Sequence, residues 1–67
     1  MQITVNGKSL EIQEASVLDA VLRKAGYTTA AGIAAAVNDE VVPFARWNSV
    51  TLKSQDRVLI ITASQGG

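Results

Sequence analysis

A chain of 67 residues supports one small domain, because at this length only about 60% of the surface exposed by the unfolded chain is buried on folding. It contains neither cysteine nor histidine, which excludes disulfides, thiolate chemistry and cysteine-based metal sites and removes the commonest general base and metal ligand. Six acidic and six basic side chains cancel, with no run of either sign, so the basic excess of a nucleic-acid binder is missing.

Met1 to Ile12 reads as a β-hairpin. Ile3 and Val5 alternate with polar neighbours, Asn6-Gly7 supplies the residues of a type I′ turn, and Leu10 and Ile12 alternate on the return. A helix follows. Ser16 is placed to cap it, with Asp19 three residues on in a near capping box. Val17, Leu18, Val21, Leu22 and Ala25 form one apolar face, Arg23 and Lys24 suit the negative end of the helix dipole, and Gly26 stops it. Tyr27 to Gly32 reads as a linker. Ile33 to Val37 is short and bounded by Gly32 and Asn38, which favours a buried strand over a helix despite its alanines. Its small side chains would let the helix approach closely.

Asn38-Asp39-Glu40 turns the chain into an edge segment, Val41-Val42, ended by Pro43. Phe44 to Trp47 reads as a single helical turn. Trp47 is expected to close one edge of the core, and Phe44 to pack inward as phenylalanine commonly does; exposed, Phe44 would instead be a candidate partner contact. Asn48 to Lys53 is a short strand or bridge with Val50 and Leu52 on one face, and Ser54-Gln55-Asp56 turns into a last strand. That strand, Arg57 to Ala63, is apolar on both faces: Val58 and Ile60 on one, Leu59 and Ile61 on the other. One helix covers only one face of a sheet, so Leu59 and Ile61 are candidate partner-contact residues on an uncovered apolar face.

The order strand, strand, helix, strand, edge strand, turn, strand describes an α+β fold in which one helix packs on a mixed sheet of four or five strands. A last strand lying parallel to the first makes it the β-grasp arrangement, residues 1–63 forming the domain and 64–67 a flexible tail. That tail, Ser64-Gln65-Gly66-Gly67, extends at most about 13–14 Å and has no side chain beyond Gln65, so a partner enzyme could enclose it in a narrow channel. No apolar stretch reaches the roughly 20 residues that span a bilayer and no signal-peptide pattern is present. A cytoplasmic protein with no membrane partner is the expectation.

With these elements placed, the chain resembles the ThiS family, ubiquitin-like sulfur carriers of thiazole (thiamine) biosynthesis. The residues that carry the resemblance are Met1-Gln2-Ile3, Val5-Asn6-Gly7, Ala36 to Pro43, Trp47, Asp56 to Ile61 and the closing Gly66-Gly67. Two positions depart from it: Phe44 stands where a basic residue commonly follows the proline, and Gln55 where a glycine commonly precedes the aspartate. The resemblance implies that the Gly67 carboxylate is the reactive group, with Gly66, Gln65 and Ser64 registering the tail. A ThiF/MoeB-like adenylating enzyme, using ATP and Mg, would activate the carboxylate. A cysteine-derived sulfur donor would convert it to a thiocarboxylate, and a ThiG-like thiazole synthase would take the sulfur. The chain itself lacks a phosphate-binding loop, histidine and cysteine, which suits a carried co-substrate with no catalytic residue, cofactor or metal of its own. A molybdopterin-synthase small-subunit-type carrier, a ubiquitin-like protein modifier and a non-carrier β-grasp interaction module are the alternatives.

Overall fold

The computed structural model describes residues 1–27 and 32–62. Strands β1 (Gln2–Val5) and β2 (Lys8–Glu11) form the amino-terminal hairpin, in antiparallel register from Gln2 opposite Glu11 to Val5 opposite Lys8. The turn works as the dipeptide predicts: Asn6 and Gly7 have φ of 51° and 84°, the positive values a type I′ turn needs at both central positions. The second hairpin joins β3 (Ile33–Val37) to β4 (Glu40–Val42). Its turn residues, Asn38 and Asp39, also have positive φ, 50° and 73°, which Asn and Asp tolerate better than most residues. The last strand, β5 (Arg57–Thr62), enters the middle of the sheet, whose order is β2-β1-β5-β3-β4. It lies parallel to β1 and antiparallel to β3. This five-stranded mixed sheet with one helix is the β-grasp fold expected from the order of elements. The linker residues 28–31 and the segment 63–67 lie outside the described residues.

Helix α1 (Leu18–Lys24) lies against one face of the sheet. Leu18, Val21 and Leu22 are at most 1% exposed and meet Ile3, Val58, Ile60 and Ala35 from the strands. Fully burying an aliphatic side chain of this size contributes about 1.5–3 kcal/mol, so the three-and-four spacing of the helix accounts for much of the core. Gly26, at φ 103°, ends the helix as expected. Its start is a correction. Ser16 is not the cap: Val17 holds that position with extended backbone and no side-chain cap bond, while the Ser16 hydroxyl donates to the Gln13 carbonyl at 2.7 Å. The cause is tertiary. Val17 bridges Thr51, and Leu52 N–H donates to the Ser16 carbonyl, which holds residues 16 and 17 extended. The first helical N–H groups then find backbone acceptors, Leu18 on Val50 O (2.8 Å) and Asp19 on Trp47 O (3.0 Å), so no side-chain cap is needed. Asp19 instead bonds Arg23 one turn on, at 2.9 Å.

The segment after β4 closes the core from the side. Phe44–Arg46 is a single 3-10 turn, as expected, and Trp47 is buried with its Nε1–H donating to Val42 O at 2.9 Å. Phe44 does not pack inward. It is 64% exposed, its ring edge-on to Trp47 at 5.1 Å. Only one of the two aromatics can fill the position under the edge strand, and the indole, with an N–H that reaches a carbonyl, holds it. Of Asn48 to Lys53, Thr51 makes an isolated bridge, while Leu52 is fully buried. No helix among the described residues is long and apolar enough to cross a membrane.

Candidate functional site

Directly paired residues of a sheet share a face, and successive residues alternate between faces. The register places Val41 opposite Ala36, Ala36 opposite Leu59 and Ala34 opposite Ile61. Val58 and Ile60 point into the core, so these five residues form an apolar field on the face turned away from the helix. Ala36 is the buried centre of it, while Leu59, Ile61 and Val41 are 49%, 55% and 74% exposed. Polar side chains occupy the rest of this face: Gln2 and Thr4 on β1, Ser9 and Glu11 on β2, and Arg57 at the start of β5, paired with Asp39 at 3.1 Å. Both partners of that ion pair are solvent-exposed, so it contributes little to stability. The face is thus split into an apolar half over β5, β3 and β4 and a polar half over β1 and β2.

The strand that carries Leu59 and Ile61 is also the one that leads to the carboxyl end. Its last residue, Thr62, pairs with Ile33. Of the residues singled out in the sequence, Leu59 and Ile61 are therefore brought together on one surface. Phe44 is not part of it: it sits past Pro43 at the β4 edge, against Trp47 of the core on the helix side. Ser64, Gln65, Gly66 and Gly67 lie outside the described residues.

Three features were missed in the sequence. Val41 joins Leu59 and Ile61, a membership set by pairing register alone. Asp56 is buried, with Oδ1 accepting from Asn38 Nδ2 (2.9 Å) and Oδ2 from Lys53 N–H (2.7 Å). The same Asn38 accepts from Arg57 N–H through Oδ1, so this carboxylate ties the β3–β4 turn to the entrance of β5 and is structural, not a general acid or base. Asn6 accepts from Ile60 N–H at 2.7 Å. Among the described residues no three metal-ligating side chains cluster.

A model of the ThiS family matches residues 2–67. The chain belongs to the ThiS family. A crystal structure of a thiamine biosynthesis protein (ThiS) from Geobacter metallireducens is similar over the whole of both chains, with a TM-score of 0.83 and 26% sequence identity. A solution structure of a thiamine biosynthesis protein from the same organism is similar over all of this chain and 88% of the other, with a TM-score of 0.76 and 26% identity. Among curated protein sequences none matches. Against the ThiS pattern, the two departures in this chain gain a structural meaning. Phe44 puts an exposed ring where a basic residue is common. Gln55 has φ 73°, the left-handed conformation that favours glycine.

Proposed function

We propose that this chain is a sulfur carrier of thiamine biosynthesis and that the Gly67 carboxylate carries the sulfur. What supports the reading is the ThiS family match, which extends over residues 2–67 and so takes in the closing Gly66-Gly67. A free α-carboxyl is ionised at neutral pH and is a poor electrophile. It becomes reactive when its oxygen attacks the α-phosphorus of ATP, releasing pyrophosphate and leaving an acyl-adenylate. Cysteine-derived sulfur at the sulfide level then attacks the acyl carbon, the bond to AMP breaks, and a terminal thiocarboxylate remains. The ATP, Mg and catalytic groups belong to a ThiF/MoeB-like adenylating enzyme, and a ThiG-like thiazole synthase receives the sulfur; the reaction is cytoplasmic.

In this reading the folded body is the handle by which the partners hold the carrier. The apolar field of Leu59, Ile61 and Val41 is the docking surface, built over β4, β3 and the strand β5 that leads to the reactive end, and Phe44 is a separate exposed contact. Ser64, Gln65 and Gly66 register the tail in the partner's channel, where small residues let the walls close around the backbone. The test is incubation with a ThiF-like enzyme, MgATP and a sulfide donor, read by intact mass. The expected product is heavier by the replacement of one oxygen with one sulfur, and deletion of Gly67 abolishes it. An unchanged mass overturns the carrier reading, and linkage to lysine side chains moves the chain to the protein modifiers.

A further inference from the structure

The pairing of β5 is unequal on its two sides. Towards β3 it is complete, from Val37 opposite Val58 to Ile33 opposite Thr62. Towards β1 it covers only Thr4 opposite Arg57 and Val5 opposite Val58, because the chain turns away at Asn6-Gly7. The ladder on that side is nevertheless carried one step further by a side chain. Asn6 N–H donates to Val58 O at 2.9 Å, and Asn6 Oδ1 accepts from Ile60 N–H at 2.7 Å. The amide oxygen thus stands where the carbonyl of a continuing strand would be. The turn alone does not require this: positive φ at position 6 is met as well or better by glycine.

We propose that Asn6 is a positioning residue for the reactive end: by clamping Ile60 it fixes the part of β5 from which the chain continues towards Gly67. The inference rests on the carrier reading. Without the clamp, the second half of β5 keeps backbone pairing to β3 alone among the described residues, and fewer molecules at any moment hold the strand end in the orientation that a partner's channel accepts. A reduced competent fraction weakens apparent affinity by the same factor and leaves the chemistry of the bound complex unchanged.

Two variants separate the clamp from the turn. Asn6→Gly retains the positive φ and removes the acceptor, whereas Asn6→Asp retains both. Amide exchange by NMR should show protection at Ile60 falling roughly three- to tenfold in N6G, the effect of one hydrogen bond, with Leu59 less affected and N6D close to the unaltered chain. With a ThiF-like enzyme and MgATP, pyrophosphate release at a temperature where all three proteins are fully folded should show KM for the carrier raised in N6G, by at most that factor because only the competent fraction enters the apparent affinity, with kcat unchanged and recovery in N6D. A purely structural Asn6 would lower the melting temperature and leave that KM alone. A folded N6G with unaltered KM, or with unaltered exchange at Ile60, overturns the inference while the carrier reading stands. An unaltered chain that releases no pyrophosphate overturns both.

Discussion

Leu59→Asp tests the proposed docking surface most directly. Leu59 is 49% exposed, so the fold has already gained about half of the roughly 1.5–3 kcal/mol that full burial of a leucine supplies. The remaining half, about 0.8–1.5 kcal/mol, is left for a partner to gain by covering it. A carboxylate at the same place forfeits that gain and adds the cost of an unpaired polar group in an apolar contact, about 1–3 kcal/mol. The sum, about 1.8–4.5 kcal/mol, corresponds to a loss of affinity of roughly 20- to 1,600-fold. The cost to the fold is smaller, because the side chain never enters the core and strand propensity spans only about 1 kcal/mol. Titration calorimetry of the carrier against a ThiF-like enzyme measures the loss, and a thermal melt verifies the fold. Gln2→Asp is the control: it puts the same charge on the polar half of the same face and should bind as the unaltered chain does. A folded L59D that binds with unaltered affinity would remove this face from the interface.

The other predictions concern the turn into β5. Asp56→Ala removes the acceptor of two hydrogen bonds made by a buried carboxylate, and at about 1.5–3 kcal/mol for each such bond the loss is about 3 kcal/mol or more. For a domain of this size the melting temperature should drop by roughly 12–24 °C; a loss under about 1 kcal/mol in chemical denaturation would refute the structural role given to Asp56. Gln55→Gly relieves a left-handed residue at a strain of about 1–2 kcal/mol, partly offset by the greater freedom of glycine in the unfolded chain. A net gain of about 0.5 kcal/mol should raise the melting temperature by roughly 2–4 °C, and a lower one would contradict the strain.

The parts of the fold legible in the sequence are those specified locally. Asn6-Gly7 announces its turn, the spacing of Leu18, Val21 and Leu22 announces the buried side of α1, and the alternation in Arg57–Thr62 sorts Val58 and Ile60 from Leu59 and Ile61. Counting elements then leaves one sheet face bare. What stayed hidden depends on residues distant in sequence. The start of α1 is set by carbonyls of Trp47 and Val50, which no local capping rule can see. The habits of its residue type point Phe44 inward, and Trp47, buried in its stead, leaves it exposed. Asn6 and Ile60 stand 54 positions apart, and the kinship of Val41 with Leu59 exists only once both are registered on β3.

Among the described residues, the strand latest in sequence, β5, lies in the middle of the sheet. Without β5, the order β2-β1-β5-β3-β4 falls into two separate hairpins, each marginal in water by itself, and α1, at seven residues, is too short to persist unaided. A translation product cut short before Arg57 therefore lacks both a stable body and the surface proposed for the partners. In the proposed reading, possession of β5 is what makes the molecule recognisable, so chains that stop short of it are not expected to engage an activating partner.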